Sequence, residues 1–125
     1  MALPKRKLKE QKLDNRWRST KHREWLTKNF CCAMCGKSAP IEAAHVSLGG
    51  ISGTGIKTDD WRCVPLCGTT IEGLGCHGKE HTGARTFWAA YEEQHGQSME
   101  ELIADLCKSS PKAAEIRRVQ EGRGL

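Results

Sequence analysis

Cys32-Ala33-Met34-Cys35-Gly36, then Glu42-Ala43-Ala44-His45-Val46, then Pro65-Leu66-Cys67, then Cys76-His77-Gly78-Lys79-Glu80-His81: this ladder through the middle of the chain decides how the rest is read. Two thiols at i and i+3 around a turn can bind one tetrahedral ion, and a second pair closes the site. Cys32, Cys35, Cys67 and Cys76 are the expected ligands of a structural zinc ion. Eight residues separate Cys67 from Cys76, where two to four are usual, so residues 68–75 must loop out. Gly36 suits the tight turn of the first pair. Cys31 points elsewhere in an extended knuckle, and Cys63 and Cys107 read as small buried hydrophobes. The alternative for the set is incidental reduced cysteines.

Outward from the ladder, the pattern is that of a small α+β domain. A helix is expected over residues 16–29, capped by Asp14 or Asn15, with Trp17, Trp25 and Leu26 partly in helical register. Short strands are expected over 40–48 and 61–66, separated by the glycine-rich stretch 49–55. A short helix carries Cys76 to His81 and stops near Gly83, and another over 85–95 stops at Gly96. Ser98 and Glu101 form a capping box for a helix to Cys107. Ser110-Pro111 fits the N-cap and first position of a last helix to Glu121. The expected organisation is a basic arm over 1–15, a core over 16–95 and a helical extension over 96–125.

Composition narrows the class. The chain has 125 residues, enough for one domain, and its seven cysteines are an odd count that argues against a simple disulfide framework. Hydrophobic residues make up 38% and aromatic ones 6%, a modest core that a metal would reinforce. No apolar run is long enough to span a membrane, and the basic N-terminus lacks the apolar stretch of a signal peptide. A cytoplasmic protein with reduced, metal-ligating thiols is the expectation. The net charge of +5 is concentrated at one end: residues 1–30 hold ten Lys/Arg against three Asp/Glu. Arg16, Arg18, Lys21 and Arg23 lie around the first helix and suit a nucleic-acid backbone. A solvated basic tail is the plainer alternative.

The histidines add chemistry. His77 and His81 are four apart, which on a helix places both imidazoles on one face, able to share an ion. His45 stands alone on a strand, a position more often structural than catalytic.

Taken in order, Cys-x2-Cys-Gly, Glu-Ala-Ala-His-Val, a glycine-rich loop, Lys57-x2-Asp60, Val64-Pro65-Leu66-Cys67 and Cys76-His77-x3-His81 resemble the HNH (ββα-metal) endonucleases. More narrowly, the sequence resembles the small phage- and prophage-encoded HNH nucleases, including relatives of the recombination-enhancement nuclease. His22-Arg23-Glu24-Trp25-Leu26 and Phe87-Trp88 are similar to that group too, so the likeness covers about residues 18–90. It implies a zinc-stabilised ββα-metal core with an N-terminal helix and C-terminal helical additions. It also implies an endonuclease that hydrolyses DNA, single- or double-stranded, in a bacterial host cell. By position, His45 becomes the general base that activates water, and His77 and His81 hold a catalytic Mg²⁺ or Mn²⁺ ion.

Two positions depart from the pattern. Ala44 stands where many such sites carry a metal-binding His or Asp, and Arg62 where the middle Asn falls. Asp60 is expected to supply the missing oxygen ligand, with loop capping as its alternative role. Lys57, Gly53 and Gly55 are placed to approach a phosphate, unless their loop is an ordinary flexible one. Three further readings remain: a zinc-ribbon nucleic-acid-binding module without catalysis, an adaptor using its C-terminal helices, and a domain with two structural zinc ions.

Overall fold

A computed structural model describes residues 16–49 and 58–125 of the chain. The basic arm over 1–15, Gly53, Gly55 and Lys57 lie outside the described residues. The elements run α1 (Thr20–Asn29), β1 (Ile41–His45), a 3₁₀ turn (Asp60–Arg62), β2 (Cys63–Cys67), α2 (Cys76–Thr82), α3 (Ala84–His95), α4 (Met99–Ser109) and α5 (Ala113–Gly122). The architecture is mixed α+β: among the described residues, one two-stranded antiparallel sheet packs with five helices. No helix among the described residues is long and apolar enough to cross a membrane.

The hairpin sets the geometry of everything else. Its register pairs Ile41 with Cys67 at one end and His45 with Cys63 at the other. Every residue of β2 is buried, because helices cover both of its faces. In β1 side chains alternate, so Ile41, Ala43 and His45 share one face and Glu42 and Ala44 the other. The core gathers Leu26 of α1, Val64 and Leu66 of β2, Trp88 and Tyr91 of α3, Ile103 and Leu106 of α4 and Ile116 of α5. The two C-terminal helices therefore share one core with the hairpin.

Several expected boundaries move, each for a local reason. The first helix starts at Thr20, not at residue 16, and Ser19 caps it by accepting from the His22 amide at 3.1 Å. Residues 17–19 cannot join the helix because the Trp17 and Ser19 amides are donated to the carboxylates of Asp59 and Asp60. The second strand begins at Cys63 because Asp60–Arg62 turns instead as a 3₁₀ segment. The last helix begins at Ala113, since the Ser110 hydroxyl meets His22 and accepts only from the Lys112 amide. The Ser98–Glu101 capping box forms in full, and Gly96 ends α3 in the left-handed conformation at φ 65°.

Candidate metal centre and His45–Asp60 pair

At the Cys67 end of the hairpin, a turn, a strand end and a helix start deliver four thiols. Cys32 and Cys35 come from the turn after α1, Cys67 ends β2, and Cys76 opens α2. Their sulfurs all lie within 4.8 Å of one another, with Cys35 and Cys67 at 3.7 Å. The inserted residues explain how Cys76 returns: Thr70 and Gly73 exchange backbone hydrogen bonds across a tight turn. Gly75 then lies so close to Gly68 that a Cβ there would sit 2.4 Å from its carbonyl. This closed loop sets the Cys76 amide 3.3 Å from the Cys67 sulfur.

Amides also converge on Cys32. Burial pushes its thiol up, but N–H groups of Cys35, Cys67 and Met34 outweigh this and bring it down to about 7. Burial and the neighbouring thiols push Cys76 up instead. Four clustered thiols cannot all ionise beside one another, whereas a divalent cation among them favours every thiolate. The cluster thus has the capacity to coordinate a metal ion.

The His45 end is built from charge. His45 Nε2 lies 2.8 Å from Asp60 Oδ1, and the carboxylate is almost wholly buried while the imidazole is 18% exposed. The other Asp60 oxygen accepts from the Ser19 amide at 2.7 Å and from Arg23 Nε at 3.0 Å. Arg18 approaches Asp60 at 3.6 Å and donates to the Thr58 carbonyl at 2.6 Å. Burial pushes the Asp60 carboxyl up, yet the His45 hydrogen bond, the Ser19 amide and the Arg23 charge together hold it below the usual carboxylate range. An ionised carboxylate can only accept, so His45 Nε2 is the donor of this bond. Cys63 joins this pair as a third close donor, and the three ligand atoms lie within 4.8 Å of one another, a second group able to hold a metal ion.

His77 and His81 are elsewhere. His77 Nδ1 is 2.7 Å from Glu42 Oε1, and these residues with Thr69, Gly78 and His81 line a shallow cavity of about 360 Å³. Glu42 and His45 are three apart on β1 and project from opposite faces. Asp60 groups with His45 and Cys63 and not with His77 and His81. Both of its oxygens meet His45, Ser19 and Arg23.

The remaining sequence candidates are placed as follows. Arg18 and Lys21 are exposed and Arg16 and Arg23 half-buried, at and around the start of α1. Arg62 joins α4 to the chain after β1, donating to the Val46 and Leu48 carbonyls and to both oxygens of Glu100. Cys107 is a buried thiol that burial pushes up to about 11, and it donates to the Trp61 carbonyl. Sequence reasoning missed Asp59, whose carboxylate accepts from the Trp17 amide and from Arg123, both at 2.7 Å. It also missed Glu42, although a carboxylate in a short half-buried strand was a signal.

No family model, no curated protein and no solved structure matches the chain.

Proposed function

We propose that the protein is a metal-dependent endonuclease that hydrolyses DNA phosphodiester bonds on a zinc-braced ββα-metal core of the HNH kind. The observation that carries this reading is the His45–Asp60 pair at 2.8 Å. A buried carboxylate is costly, and a plain binding ribbon has no need of one fixed against a part-exposed imidazole. In the proposed reaction Asp60 holds His45 in the Nε2–H tautomer, and Nδ1 takes the proton of the attacking water. Arg18 and Arg23 place two positive charges around one carboxylate, an excess that suits an approaching phosphate. Lys21, Arg16 and the basic arm, with Lys57, extend that charge for the DNA backbone.

Cys32, Cys35, Cys67 and Cys76 would hold the structural zinc. Sulfurs bound at the usual zinc–thiolate length around one tetrahedral ion stand roughly 3.8 Å apart, and Cys35 and Cys67 are already at 3.7 Å. His77 and His81 are the residues for the divalent catalytic ion, with Glu42 in place of Asp60 as the nearby carboxylate. Two imidazoles suit Mn²⁺ better than Mg²⁺, which prefers oxygen. Such an ion, when bound, supplies positive charge to the phosphate and leaving oxygen.

One observation favours a second reading, a zinc-ribbon module that binds nucleic acid without cutting it. His77 and His81 group with Glu42 and not with His45, whereas a one-metal hydrolysis needs base and ion at the same phosphate. The two readings separate in a cleavage assay on plasmid and single-stranded DNA with Mg²⁺, with Mn²⁺ and with no added metal. The nuclease cuts in a metal-dependent way, and His45→Ala at equal zinc content lowers the rate by on the order of 10²–10⁴-fold. DNA binding without cutting in any metal selects the ribbon.

A further inference from the structure

Two short segments hold the carboxylate of Asp60 in place, residues 17–19 and 59–60. Their backbones are laced together: Trp17 N–H donates to Asp59 Oδ1 at 2.7 Å, Asp60 N–H to the Trp17 carbonyl at 2.9 Å, and Ser19 N–H to Asp60 Oδ2 at 2.7 Å. Residues 17–19 are neither helix nor strand, and Asp60 only opens the three-residue 3₁₀ turn, so no long ladder of repeated hydrogen bonds fixes them. The C-terminal end of the chain grips both. Glu115 of α5 accepts from Trp17 Nε1 at 2.7 Å. Arg123, just past α5, donates to Asp59 Oδ1 at 2.7 Å and lies 5.1 Å over the Trp61 ring. The Asp59 oxygen that Arg123 meets is the one that accepts from the Trp17 amide. A single carboxylate oxygen thus joins α5 to the segment that holds Asp60.

We propose that Arg123 and Glu115 are positioning residues for His45: they clamp residues 17–19 against Asp59 and thereby set the Asp60 carboxylate on the imidazole. Neither residue touches His45, and their effect passes through Asp60. Asp59 is mostly buried, its side chain 12% exposed. Without the Arg123 guanidinium the Asp59 carboxylate loses a charged donor while keeping the Trp17 amide, and it can turn toward water. The corner bearing Asp60 then loses one of its two anchors. The part of this inference that concerns turnover rests on the proposed nuclease reading; the part that concerns His45 does not.

The test uses the full-length, zinc-loaded protein with ¹⁵N-labelled histidine, the His45 signals being assigned with His45→Ala. In the wild type, the His45 proton is expected at Nε2 and in slow exchange. Arg123→Ala and Glu115→Ala are expected to speed that exchange and mix the two tautomers, with zinc content and far-UV dichroism unchanged. In the cleavage assay kcat is expected to fall on the order of tenfold with little change in KM, the signature of a misplaced base. Arg123→Lys, which keeps the charge within reach of Asp59, restores part of both. Arg123→Gln, which keeps a donor, covers the case in which the alanine variant does not fold. An unchanged His45 tautomer and pH–rate profile in Arg123→Ala or Arg123→Gln overturns the proposal. So does a loss of activity that merely follows the loss of folded protein. If the wild type cuts no DNA, the nuclease reading fails, and the tautomer comparison still decides the role of Arg123 and Glu115.

Discussion

The two ends of one hairpin, built of two five-residue strands, are held by opposite means. At the Cys67 end, four thiols from three chain segments meet at one point. At the Cys63 end, a histidine and a buried aspartate are held by amides and guanidinium groups drawn from α1, from residues 17–19 and, through Asp59, from the far C-terminus. Under the proposed zinc ligation a thiol cluster is all-or-none, since its ligands would act through one ion and lose it together. A charge network is graded, because each member can be removed singly and the rest rearrange. The lesson is that the thiol end sustains the fold, and the charged end tunes one imidazole on it.

The largest effect is expected from breaking the thiol end. Cys67→Ser, or a strong chelator, should remove most of the stability of the domain, which for a chain of this size is about 5–15 kcal/mol. Thermal melting together with zinc stoichiometry checks this. A melt unchanged by chelation, with no metal bound, would mean that hydrophobic packing alone holds the hairpin.

Breaking the charged end should cost less and act on chemistry more. Asp60→Asn keeps the shape but loses the charge facing His45 and Arg23. A loss of about 3–5 kcal/mol is expected, as for one partner of a buried ion pair, with zinc content unaffected. The amide can present its N–H to His45, which reverses the tautomer. Cleavage should therefore fall much further than stability, on the order of 10²–10⁴-fold. Equal losses of stability and activity would show that Asp60 acts only as a structural anchor for α1.

This contrast also explains what the sequence made legible. The thiols were readable because ligation fixes residue type and close spacing, even across the inserted residues 68–75. The capping box at Ser98 and the stop at Gly96 were readable for the same reason, since each is a local device of three or four residues. Asp60 was visible as a carboxylate, but its pairing with His45 and Ser19 was not. Its role depends on residues 41 positions away at Ser19 and 15 away at His45. The misplaced start of α1 has the same origin: local propensity favoured helix from residue 16, and long-range carboxylates took the amides instead. Arg123 and Glu115 gave no sequence signal at all, because a basic or acidic residue on a terminal helix looks like surface.

A last, smaller effect separates the two ends by pH. His22 is fully buried on α1, between Trp17 and Trp25, with Nδ1 2.7 Å from the Ser110 hydroxyl and Nε2 without a partner among the described residues. Burial lowers its pKa to about 4, against a smaller upward pull from Asp60. The unfolded chain takes up this proton near the ordinary value of 6.5, while the folded chain resists it down to about 4. Between those values the unfolded state binds more protons, so stability falls as pH drops and levels off once both states are protonated. The full difference is on the order of 3 kcal/mol. Asp60 does not share this window, because its carboxyl is held below the usual range. Under the proposed zinc ligation protons also compete for the thiolates, so acid unfolding has two sources to be told apart. His22→Phe keeps an aromatic ring between the two tryptophans and cannot titrate. It should cost about 1 kcal/mol at pH 7 through the lost Ser110 hydrogen bond. Urea unfolding at several pH values, with zinc release followed in parallel, should then show a flatter profile between pH 6.5 and 4 than the wild type. Identical slopes in the two proteins would assign the acid sensitivity to the thiol end alone.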